Sequence, residues 1–149
     1  METTRRATTQ WKGSFSKGVG QVVFDSSGQG PYSVMAAVGP VETPARTSPM
    51  ELLAAPHSVR VALTLAYILT KCGHRAEWLE TPTEVDLDHS EAITAIRVTV
   101  RGMVPGISDE QFVSMAGSVA GCCSVSKALS GIEGNLDAAL IWLVGAGIA

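Results

Sequence analysis

The segment from Ser48 to Gly73 constrains the fold more than any other part of the chain. Its start is marked by residues of known helical preference. Ser48 suits the N-cap, Pro49 the first helical position, where its missing N–H would have had no partner, and Glu51 completes a capping box. The pattern predicts a helix to about Cys72, with Gly73 as its stop. Pro56 lacks the N–H that would bond the Leu52 carbonyl and crowds that carbonyl, so a kink or break is expected there, with a short lead-in turn before a longer helix. In that longer helix Val59, Val61, Ala62, Leu63, Leu65, Ala66, Ile68 and Leu69 cover most of the circumference. His57, Arg60, Thr64, Tyr67 and Lys71 fall along one remaining stripe. A helix apolar around most of its surface must be covered on several sides. One sheet covers only one of them, so a second subunit is the expected source of further cover.

The rest of the composition narrows the class. A length of 149 residues fits one domain, residues 1–149, and a hydrophobic share of 46% against 17% charged is that of a globular chain with a substantial core. Net charge is −3 and no lysine- or arginine-rich run occurs, so nucleic acid is not an expected partner; a small molecule or another protein is. No apolar core follows Arg5-Arg6, so no signal peptide is expected. No run approaches the roughly 18 uninterrupted apolar residues of a membrane span. Three cysteines at unhelpful spacing for a disulfide framework complete the case for a reducing cytoplasm.

Strand signals flank the helix. Val19–Phe24 and Tyr32–Ala36 are β-rich runs bounded by Gly, Ser and Pro clusters, which predicts an antiparallel meander within residues 4–38, followed by a loop from Gly39 to Thr47. Thr83–Asp88 and Ile93–Arg101 read as strands, the second alternating Ile96, Val98 and Val100 with Arg97, Thr99 and Arg101. Ser108 to Gln111 is another capping box, launching a helix through Phe112, Met115 and Val119 that Gly121 ends. A short helix then starts near Ser124, and Asn135–Trp142 reads as a last strand.

Chemistry concentrates at few residues. Cys123 precedes a helix start and Lys127 lies within that helix's first turns; both the dipole and the ammonium favour a thiolate, the form that reduces peroxides or senses oxidation. Against this, buried cysteines often serve only as core, and a disulfide between Cys122 and its neighbour Cys123 would need backbone strain. Arg60 is a lone charge on an apolar helix that could hold an anion, stabilise a thiolate, pair at a subunit boundary or reach solvent. Glu51 is explained equally well as a cap or a functional carboxylate; it stands nine residues before Arg60, roughly 13 Å along an unbroken helix. His57 sits one turn from Arg60. His74 and His89 have no partner at metal-ligand spacing, and no phosphate loop or nucleophile elbow occurs, so no metal or other cofactor is expected.

Read as a set, these blocks resemble the OsmC/Ohr superfamily of osmotically inducible and organic hydroperoxide resistance proteins. The likeness rests on Met103-Val104-Pro105-Gly106-Ile107, on Cys123-Ser124-Val125-Ser126-Lys127-Ala128-Leu129, on Ser48–Ala55 with His57, and on Trp11, Gly13, Gly18 and Gly20, in the family's order. It implies an α+β fold of antiparallel curved sheets around long central helices, an intertwined homodimer, and sites at the dimer interface. It also implies thiol-dependent reduction of organic hydroperoxides, one cysteine attacking peroxide and another resolving the sulfenic acid, with a dithiol as reductant. Carried over, the resolving position matches Cys123 and the attacking position matches Arg60. Arginine cannot attack a peroxide, so the two-cysteine cycle cannot run in its usual form. Ser124 stands where the family has proline, Pro56 where it has a small residue, and Met50 where many peroxidase members have glutamate; Glu51, at the next position, matches a glutamate of other branches. The resemblance therefore implies a divergent member with Cys123, Arg60 and Glu51 as site residues and Cys122, His57 and Lys127 as accessories. The alternative is a dimer that binds a small apolar or anionic ligand, or senses oxidation, without catalysis.

Overall fold

The structure, a computed structural model, describes residues 2–36, 45–88, 90, 92–129 and 131–141. The expected loop over residues 39–44, His89, Trp142 and the tail from Leu143 lie outside the described residues. The chain divides into two compact units, Met1–Leu52 and Leu53–Ala149.

In the first unit β1 (Thr8–Lys12), β2 (Val19–Phe24) and β3 (Gln29–Val34) form the expected antiparallel meander. Trp11 pairs with Gly20 across β1 and β2, and a Cβ on Gly20 would stand 2.5 Å from the Trp11 ring. The glycine is what lets the indole lie flat over the neighbouring strand. Among the described residues of this unit, Val22 and Val34 are the buried apolar side chains.

Helix α1 spans Pro49–Lys71. Ser48 Oγ accepts from the Glu51 N–H at 3.2 Å, which satisfies one of the donors left unpaired at the helix start. The expected break at Pro56 does not occur: the helix is continuous through it. Proline there deletes a single rung, the bond to the Leu52 carbonyl, and its ring is exposed. By length and apolar content alone α1 could cross a membrane, although it has no long uninterrupted apolar run. Here one of its faces is spent in a core.

That core belongs to the second unit. Its sheet is built on β6 (Ile93–Met103), which pairs antiparallel with β5 (Thr83–Leu87) at its start and with the short β4 (Trp78–Glu80) at its end. β7 (Glu133–Leu140) runs parallel to β6, so this sheet is mixed. The alternation in β6 holds: Ile96, Val98 and Val100 are buried, while Arg97 reaches out to Glu84 and Asp86. Gly102 leaves room for Phe112, whose ring would be 2.7 Å from a Cβ at that position.

The helical region differs from expectation in one respect. α2 (Asp109–Gly117) starts on the full Ser108–Gln111 capping box but does not reach Gly121. It ends at Ser118, whose Oγ donates to the Met115 carbonyl at 2.7 Å, and the chain restarts as α3 (Val119–Cys122) and α4 (Ser124–Ala128). A serine that bonds back to the preceding turn competes with the helical ladder. Val61, Leu65, Leu69, Val98, Val100, Val104, Phe112, Ala116, Val119 and Cys123 form the core cluster. Burying side chains of the Leu and Phe kind stabilises by about 1.5–3 kcal/mol each.

Candidate functional site

The sequence placed His57 and Arg60 on one polar stripe of α1; the structure divides that stripe. His57, Val61, Thr64, Leu65 and Leu69 face inward, whereas Arg60, Tyr67 and Lys71 are exposed together with Val59 and Leu63. The rotation of the helix follows from the core, which takes the broader apolar surface, and from a clasp one residue beyond His57. Ser58 Oγ donates to the Thr81 carbonyl at 2.8 Å and Thr81 Oγ1 donates to the Ser58 carbonyl at 2.9 Å. Such reciprocal bonds between a helix and a strand connection resist turning of the helix about its axis. Nothing in the spacing of serines and threonines announced them.

His57 is 9% exposed. Its Nδ1 is buried without a hydrogen-bond partner among the described residues, and burial holds its pKa below the ordinary 6.5 because the charged ring would lose hydration. At neutral pH the imidazole is therefore neutral, able to donate at one nitrogen and accept at the other. The ring lines a cavity of about 420 Å³ within the second unit. Val61, Ile96 and Val98 supply buried apolar wall, and Lys127 and Asn135, which also line it, are exposed. Asn135 arrives there through the parallel pairing that sets it opposite Arg97. Residue spacing gave no hint of it.

Cys123 is 0% exposed, packed in the core cluster with Val61, Leu65 and Phe112. It occupies the N-cap of α4 in extended conformation, and its carbonyl accepts from the Lys127 N–H at 3.0 Å. Cys122 and Cys72 are exposed, and none of the cysteines forms a disulfide. Arg60 makes no ion pair or hydrogen bond among the described residues, so the structure places it and Cys123 in opposite surroundings, one in solvent and one in the core. Glu51 is exposed and belongs to the first unit. Among the described residues no three His, Cys, Asp or Glu side chains converge as metal ligands.

A family model described as OsmC-like protein matches residues 42–137. The chain belongs to the OsmC-like family. Among curated relatives, the peroxiredoxin OsmC of Escherichia coli (strain K12) is 28% identical over 130 residues, covering 84% of this chain and 89% of that protein. The fold agrees with solved members. An OsmC-like protein from Mycoplasma pneumoniae superposes with a TM-score of 0.77 at 13% identity, covering 95% of this chain and all of that one. An OsmC-like protein of unknown function from Vibrio cholerae gives 0.75 at 16% identity, covering 92% and 99%. An organic hydroperoxide resistance protein from Legionella pneumophila gives 0.66 at 16% identity, covering 93% and 99%. The OsmC-like architecture expected from the sequence, antiparallel sheets with a long helix in a mixed α+β fold, is thus the one observed, with β7 as the parallel strand of the second sheet.

Proposed function

We propose that this chain is a divergent, homodimeric OsmC-family protein in which a ligand-binding cavity beside His57, and not a two-cysteine cycle, carries the activity. The observation that carries the reading is the separation of the site residues. The position that the family likeness assigns to the attacking cysteine is Arg60, on the outer face of α1 and exposed in the single chain, and the thiol at the resolving position, Cys123, is buried in the core. A buried thiol without access to solvent is a poor nucleophile toward peroxide. What remains on the inner side of α1 is a cavity that His57 helps to line. The dimer is supported by α1's outward face, where Val59, Leu63 and Tyr67 are 58%, 57% and 61% exposed.

The direct test is turnover. Purified protein mixed with cumene hydroperoxide and a dithiol is expected to consume no more peroxide than the dithiol alone. Saturable turnover that Cys123→Ser abolishes would overturn the reading.

One observation favours a second reading. Cys122 is exposed and adjoins Cys123. An organic hydroperoxide could oxidise its thiolate to the sulfenate while leaving as the alcohol, and an external dithiol could then return the thiol, releasing water and a disulfide. Mass spectrometry after substoichiometric peroxide, with sulfenate trapping at Cys122 alone, would mark the protein as an oxidation sensor.

A further inference from the structure

The exposed face of the first unit carries a second cavity, with no residue in common with the one beside His57. Cross-strand pairing sets Gln10 opposite Gln21 and Gln21 opposite Ser33. Two amides and a hydroxyl therefore form one row across β1, β2 and β3. Lys12, two residues along β1, and its partner Val19 on β2 share that face, because side chains alternate along a strand. Val22 and Val34 turn to the opposite face and are buried. Beyond β3, the Thr47 N–H donates to the Ser33 carbonyl at 2.8 Å and Thr47 bridges to Val34. By the same alternation Arg46 falls on the face of the row. Gln10, Lys12, Val19, Gln21, Ser33 and Arg46 all line one cavity of about 610 Å³, ample for a small organic molecule.

The register also places the charges. Lys12 stands on one edge strand and Arg46 beyond the other, so their backbones lie roughly 14 Å apart, about three strand spacings, with the polar row between them. These two side chains and the three of the row are exposed, and none makes a hydrogen bond or ion pair among the described residues. No carboxylate among those residues lines the cavity; Asp25, an acid of this unit, is engaged by the Thr8 hydroxyl at 2.7 Å. Of the lining side chains on this face only Val19 is apolar, so an apolar body has little to rest on.

We propose that this face binds a small hydroxylated chain carrying an anionic group at each end. One anionic group pairs with Lys12, the other with Arg46, and the hydroxyls between them meet Gln10, Gln21 and Ser33. Amides and a hydroxyl both donate and accept, which is what the hydroxyls of a polyol require. A cation at either side suits an anion at either end, and Arg46 offers a fork of donors that fits phosphate or carboxylate oxygens. No bond is made or broken, and neither His57 nor any cysteine takes part.

The test titrates the isotope-labelled full chain with fructose 1,6-bisphosphate, fructose 6-phosphate and fructose, which carry two, one and no anionic groups on one skeleton. Saturable NMR shifts of the Gln10 and Gln21 side-chain amides are expected with the bisphosphate. Affinity should fall about tenfold with each phosphate removed, near the upper size for one exposed ion pair. Glucarate, with a carboxylate at each end, is the second arm, and its affinity relative to the bisphosphate names the anionic group. Lys12→Gln and Arg46→Gln should each bring the bisphosphate to the affinity of fructose 6-phosphate, and together to that of fructose. Both residues are exposed, so neither change threatens the fold. Equal affinity of the unaltered chain for bisphosphate and monophosphate would overturn the two-ended assignment, as would unchanged affinity in either variant. Shifts confined to residues outside this face, or no saturable shift with any probe, would overturn the proposal outright.

Discussion

The two faces of α1 differ less in composition than in fate. The inner face carries a histidine and a threonine among its aliphatic residues and is buried; the outer face carries Val59, Leu63 and Tyr67 around Arg60 and is exposed. Hydrophobicity alone does not sort them, because both are largely apolar. Shape and hydrogen bonding do. The inner face meets Val98, Val100, Phe112 and Val119 in one cluster and is held in rotation by the Ser58–Thr81 clasp. The difference teaches that a helix apolar all round reports how many surfaces it needs, and not which surface it finds first.

The comparison can be broken most forcefully from inside. Leu65→Ala removes a side chain at 0% exposure and is expected to cost about 3 kcal/mol, within the range for buried leucines, read as a lower urea midpoint at unchanged m. An effect below about 1 kcal/mol would mean that this face is not the packed one. On the other side, Leu63→Glu leaves the chain's own core intact but sets a charge in the proposed subunit interface. It is expected to weaken self-association by about 2 kcal/mol, roughly thirtyfold in the dimer dissociation constant, as measured by sedimentation. Unchanged sedimentation would mean that the outer face has no partner copy.

The clasp sharpens the contrast at smaller scale. Thr81→Val keeps the volume but leaves the Ser58 carbonyl without its side-chain donor, an expected loss of about 1 kcal/mol in thermal or urea unfolding. Smallest is the pH effect of the buried imidazole. The folded His57 pKa lies below its unfolded value of 6.5, so the unfolded chain binds more protons in the interval between the two. The stability this ring contributes is complete at neutral pH and declines as pH falls through 6.5 toward the folded pKa. Unfolding curves at stepped pH, compared with those of His57→Phe, should differ in that window and run parallel above it.

Much of the local structure was legible because local chemistry decides it. Pro49 after Ser48 starts a helix with little regard for context, Ser108 and Gln111 satisfy one another across one turn, and strict alternation makes Ile96, Val98 and Val100 the inner row of a half-buried strand. Where long-range contacts compete, the signal fades. β4 is too short to read before Met103 pairs with Trp78, and Ser118 ends α2 by a side-chain bond that propensity does not anticipate. The candidate site shows the same division. His57, Arg60, Cys123 and Lys127 could be singled out as residues, but not their surroundings: Cys123 in the core, Arg60 on the exposed outer face of α1, His57 lining a cavity that Asn135 also lines.

By itself, then, the sequence determined the family, the central helix with its ends, the meander and the inner row of β6, since capping, turn chemistry and periodicity act over a few residues and need no partner. Only the tertiary structure decided which side of α1 is buried, that β7 runs parallel to β6, and that a neutral histidine borders a space a ligand can enter. Those outcomes depend on which surfaces fit together across the whole chain, and packing is a property of pairs of elements that no single element carries.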